Sequence, residues 1–121
     1  MAIPDLCGTE ALQAVISYWG KRADFSQESG VLKAANSVGF VGFYDKADIE
    51  ALCRHLDSGL PVIVDLVEDE RYSVIVGMDN DHMYAVDSET KPRYAKIPVD
   101  IFNENFEARR LIIITPEKTV Q

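Results

Sequence analysis

The chain has 121 residues, of which 47% are hydrophobic and 26% charged, enough apolar material for one globular domain whose core needs no disulfide or metal staple. Its net charge of -8 and the lack of any basic stretch argue against a phosphate-backbone binder, and no run of about 18 apolar residues is present to cross a membrane. Cys7 and Cys53 are too few for a disulfide framework and sit in no C-x-x-C or His-paired metal spacing, so both are expected as free thiols, with no metal and no cofactor. The N-terminus also lacks the basic-then-apolar order of a signal peptide.

In chain order, Leu12, Val15, Ile16 and Trp19 follow Cys7 at helical spacing and Gly20 supplies a stop, so the first helix starts at Cys7. A thiol at a helix N-terminus is a candidate nucleophile, because the unpaired N–H groups and the positive end of the helix dipole favour thiolate. The competing reading is a small buried cysteine. Asp24 with Gln27 has the spacing of a capping box, and Val31, Leu32, Ala34 and Ala35 give a second helix its apolar face. The glycine-broken, aromatic interval from Gly39 to Tyr44 is expected as loop or short extended chain.

A third helix opens at Asp45 or Lys46 and carries Ile49, Leu52, Cys53 and Leu56 as one apolar stripe, ended by Asp57-Ser58-Gly59. This spacing turns Cys53 inward and leaves His55 on the polar side, as a solvated histidine. The period then changes to strands: Leu60–Val64, Tyr72–Val76 and Met83–Val86, with a hairpin turn over residues 77–82. Asp79, Asn80 and Asp81 invite a calcium-loop reading, but Met83 and Tyr84 stand where that loop needs a ligand and a glycine, so a polar turn is expected. Tyr94–Ile97 reads as a short strand, Asp100–Phe106 as one or two helical turns, and Arg109–Thr115 as a closing apolar strand before a polar tail. Helices first and an antiparallel sheet after them give an α+β fold, with Leu12, Val15, Ile16, Trp19, Leu52, Leu56, Ile63, Val74, Val76 and Ile112 in the core.

Several stretches together resemble a known family. Cys7-Gly8 with Ala11-Leu12 and Ser17-Tyr18-Trp19-Gly20 is similar to the nucleophile helix of the bacteriocin-processing cysteine peptidases, papain-like enzymes that cut double-glycine leader peptides. Leu56 with Gly59 to Val64 resembles that family's first sheet strand. Arg71 to Asp79 resembles its second, which begins with the catalytic histidine. Tyr84-Ala85-Val86-Asp87-Ser88 resembles the return strand, whose aspartate orients that histidine, although Ser88 stands where the family commonly has proline. Phe102 and Phe106 before Leu111 to Pro116 resemble the closing segment, so the likeness spans nearly the whole chain.

The resemblance implies a papain-like fold for residues 1–121, with Cys7 at the nucleophile position, Arg71 at the histidine position and Asp87 as the orienting carboxylate. Met1 falls where the family's oxyanion glutamine would be. Such domains often form the N-terminal part of peptide-exporting ABC transporters, so a cytoplasmic domain of a larger membrane-associated exporter is expected, with a leader peptide or exported polypeptide as partner. Arginine cannot serve as the base, since its pKa lies above about 12 and it neither takes the thiol proton nor readily returns one to a leaving amine. Arg71 and Asp87 are expected to face each other across the hairpin as a charge pair. A degenerate, non-cleaving peptide-binding domain is therefore the first expectation. An active cysteine endopeptidase with an unidentified base is the second, and a free-standing acidic interaction domain the third.

Overall fold

In the computed structural model, which describes residues 3–22, 30–67, 71–88 and 93–117, alternate residues of the central strands serve two different cores. The elements run α1 (Gly8–Tyr18), α2 (Val31–Ser37), β1 (Phe40–Asp45), α3 (Ile49–Asp57), β2 (Val62–Leu66), β3 (Tyr72–Met78), β4 (His82–Ser88), β5 (Arg93–Pro98), α4 (Val99–Asn105) and β6 (Ala108–Pro116). The six strands form one sheet in the order β1-β6-β2-β3-β4-β5, and all of its pairings are antiparallel. Because strand side chains alternate, Ile63, Val74 and Ile112 pack with α1 and α2, while Val62, Val64, Ile75, Leu111 and Ile113 pack with α3 and α4. The α+β class and the antiparallel sheet agree with the sequence. Placing helices on both faces completes that picture, since each face of so apolar a sheet needs a cover.

Eight of the ten expected core residues are buried; Trp19 and Val76 are only partly so, packed against the α1 side. Trp19 keeps its polar edge satisfied, its indole N–H donating to Ile114 O at 3.1 Å. The interval expected as loop around Gly39–Tyr44 is instead edge strand β1, paired with β6 from Phe40↔Pro116 to Asp45↔Leu111. Its middle residues are exposed on both faces, which erases the period-2 signal. Gly42 is required there, because a Cβ would lie 2.7 Å from both Ile113 O and a Leu32 methyl.

The third helix starts later than expected. Asp48 is its N-cap, with Oδ1 accepting Ala51 N–H at 2.7 Å, while Asp45 ends β1. The helix is also turned slightly from the expected stripe: Ala51, Leu52 and Leu56 are buried and Cys53 is half-buried at the margin. Partial burial, reinforced by Asp57, still pushes the Cys53 thiol up from its ordinary value. The Asp24–Gln27 box lies outside the described residues. No described helix is long and apolar enough to cross a membrane.

Candidate functional site

The site begins with a short backbone pairing. Leu6 and Tyr72 exchange both hydrogen bonds, Leu6 N–H donating to Tyr72 O at 2.6 Å and Tyr72 N–H to Leu6 O at 2.9 Å. Leu6 is buried with the α1 core, so its neighbours Asp5 and Cys7 project to the other side, where the next residue of β3's approach is Arg71. Cys7 has extended dihedrals (φ -74°, ψ 169°) and caps α1, which starts at Gly8. The expectation of a thiol at the head of the first helix is met by this geometry.

Two carboxylates, Glu10 and Asp5, belong to this corner. Glu10 reaches back along the first turn and its Oε1 accepts the Cys7 backbone N–H at 3.1 Å, closing a capping box. Hydrogen bonds from the Cys7 thiol and then from its N–H hold Glu10 below the usual carboxylate range. Asp5 pairs with the Arg71 guanidinium, which also approaches the Asp5 carbonyl at 3.4 Å. Arg71 is raised above its ordinary value by Asp5 first, with further help from the nearby Cys7 and Glu10. The four side chains thus form one cluster at the start of α1. Neither Arg71 nor Glu10 is a good base for the thiol: an arginine stays charged, and a carboxylate held below its usual range is a poor proton acceptor.

Arg71 is therefore near Cys7, but its ion-pair partner is Asp5 and not Asp87. The physical reason is strand pairing. The β3–β4 ladder runs from Met78↔Met83 to Ile75↔Ala85, and nearer Arg71 the free side of β3 is taken by Leu6. Asp87 lies at a register shift between β4 and β5 and its side chain is exposed.

Neither of the chain's two histidines belongs to the cluster. His55, expected as a solvated histidine, is instead half-buried and paired: its Nε2 lies 2.7 Å from Asp45 Oδ2 and its ring meets Phe43 edge-on at 5.9 Å. That environment exists only because β1 is a strand. His82 begins β4 at the turn, the end of β3 remote from Arg71. In the turn, Asp79 Oδ1 accepts the N–H groups of Asp81 and His82 at 2.8 and 2.7 Å, and Oδ2 accepts the Tyr84 hydroxyl. These bonds, led by Tyr84, hold Asp79 at about 2 and leave its carboxylate engaged in the turn. Met1 lies outside the described residues. Sequence reasoning missed Asp5 and Glu10. The signal for Glu10 was there, since Cys7-x-x-Glu10 has capping-box spacing, but cysteine is not a usual cap.

No protein-family model and no curated protein matches the sequence. Solved structures do match the fold. The peptidase domain of Streptococcus ComA, a bi-functional ABC transporter in a quorum sensing pathway, superposes with a TM-score of 0.70 at 21% identity, covering 95% of this chain and 97% of that one. A double glycine motif protease from an AMS/PCAT transporter, solved with its leader peptide, also scores 0.70, at 24% identity over 96% of this chain and 86% of that one. A periplasmic domain of the Vibrio vulnificus EpsAB fusion protein of the type II secretion system scores 0.59 at 15% identity, covering 95% of this chain but 48% of that one. The chain therefore has the papain-like fold of the peptidase domains of double-glycine-processing ABC transporters. Its neighbours also include a secretion-system domain, so the fold by itself does not settle the chemistry.

Proposed function

We propose that this chain is a peptidase-like domain that binds a leader peptide or exported polypeptide for an ABC-type secretion system without cutting it. The observation that carries the reading is the partner set of Cys7: Arg71 stands beside it, neutralised by Asp5, and Glu10 accepts from its backbone and thiol. Amide cleavage by cysteine needs a group that removes the thiol proton and then protonates the leaving amine. Arg71 does neither, and Glu10, held below the usual carboxylate range, is poorly matched to either transfer. In this reading Cys7 holds the nucleophile position, Arg71 the histidine position, and Asp87 is the vestige of an orienting carboxylate. The domain would be one part of a larger exporter.

The alternative, an active cysteine endopeptidase, is favoured by the retained thiol at the head of α1. Calorimetry with a synthetic leader peptide ending in Gly-Gly plus a short cargo, followed by mass analysis of the mixture, separates the two. Equal binding by the unmodified protein and by Cys7→Ala, with intact peptide recovered from both, supports the proposal. Product that disappears with Cys7→Ala supports the alternative, and no binding at all removes both.

A further inference from the structure

At the far end of α1 the sheet and helix leave a groove of about 560 Å³. Lys21 and Arg22, just after α1, and Arg93, at the start of β5, converge on it from separate parts of the chain. No Asp or Glu lines it among the described residues, although the chain has 20 acidic against 12 basic side chains. None of the three cations has an ion-pair partner among the described residues. The floor is apolar, Val76 and Val86, and the walls carry two tyrosines, Tyr18 at 41% and Tyr94 at 60% exposure. Tyr18 is fixed by its hydroxyl donating to Gly59 O at 2.9 Å. An apolar floor under a rim of cations that meet no carboxylate among the described residues matches a segment with both an apolar and an acidic side.

The groove also points toward the cysteine. Gln13, Ala14 and Ser17 line it, and they follow Glu10 at intervals of three, four and seven residues, so the groove and the Cys7–Glu10 cluster lie on one face of α1. The ten-residue separation from Cys7 to Ser17 corresponds to ~15 Å along a helix. An extended peptide covers that in about five residues.

We propose that this groove docks an acidic, partly apolar segment of the polypeptide that the domain binds, a few residues away from the segment lying over Cys7. The carboxylates face Lys21, Arg22 and Arg93, and an apolar side chain rests on Val76 and Val86. This rests on the peptide-binding reading above and adds to it the charge class of the ligand and its seat.

The test uses two fluorescein-labelled synthetic peptides ending in Gly-Gly that alternate apolar residues with glutamates in one and with lysines in the other, in anisotropy titrations. The glutamate peptide should bind the unmodified protein and weaken steeply with added salt, because exposed charges are screened beyond ~10 Å at 0.1 M. The double variant Lys21→Glu/Arg93→Glu should bind it roughly tenfold or more weakly and gain affinity for the lysine peptide, a reversal that a misfolded variant could not show. If the glutamate peptide binds both proteins equally and without salt dependence, the groove assignment is overturned while the peptide-binding reading stands. If neither peptide binds the unmodified protein, the peptide-binding reading falls and the groove assignment with it.

Discussion

At the N-terminal end of α1 the charges close on one another: Arg71 is paired with Asp5, and Glu10 with the backbone and thiol of Cys7. At the C-terminal end, Lys21 and Arg22 face a groove with Arg93 and no carboxylate among its described lining. The same helix thus presents one end whose charges pair with one another and one whose cations meet no carboxylate among the described residues. On the proposed reading, binding and cleavage are separable on this scaffold. The groove is built from α1 with the residues just after it and from β3, β4 and β5, whereas peptide cleavage by Cys7 would need a titrating group beside it, where Arg71 stands.

The largest effect should come from restoring that group. Arg71→His places an imidazole near Cys7, and general-base assistance is typically worth ~10²–10⁴-fold in rate. Any turnover gained on a Gly-Gly leader peptide should vanish in the Cys7→Ala background. A further gain on adding Asp5→Asn would show that Asp5 holds the new imidazole away from the thiol. Binding in the groove should not change.

Next in size is a change that breaks both ends at once. Leu12 lies in the middle of α1 and is 1% exposed, so Leu12→Ala should cost ~2–5 kcal/mol in a urea titration. It should weaken peptide binding only where unfolded protein accumulates. A cost of a few tenths would mean that α1 does not anchor the two ends together.

Glu10→Gln is smaller and acts on one end alone. A carboxylate in the first turn of a helix is worth ~0.3–1 kcal/mol. Because Glu10 is held below its ordinary value of 4.5 in the folded protein, its contribution is fully present above that pH and is lost as pH falls through the lowered folded value. Thermal melts of the unmodified protein should therefore fall more steeply below about pH 4.5 than those of Glu10→Gln. The smallest effect lies outside both ends. Tyr84→Phe removes the leading cause of the Asp79 depression, so an NMR titration should move that carboxyl from about 2 toward its ordinary 3.8. The Cys7 corner should be unaffected.

What the sequence made legible follows from what periodicity can carry. The buried stripe of α1 and the β-branched runs of β2, β3, β4 and β6 were readable because each serves a core with a regular period. Strand β1 was not, since an edge strand with Val41, Phe43 and Tyr44 exposed has no alternation to read. The error over His55 followed, because its partner Asp45 and its ring neighbour Phe43 both belong to β1. The resemblance to a peptidase placed Arg71 close to Cys7, but the Asp5 pairing depends on Leu6 occupying the side of β3 that β4 was expected to fill. The groove was invisible as a site, because Lys21, Arg22 and Arg93 are distant in sequence and meet only through the fold.

On the proposed reading Cys7, beside Arg71 and Glu10, does not cut peptide bonds. The most direct test is intact-mass analysis of a Gly-Gly leader peptide after long incubation with an equimolar amount of the unmodified protein. The uncut peptide mass alone is expected. A product pair split after Gly-Gly, absent when Cys7→Ala replaces the unmodified protein, would contradict it.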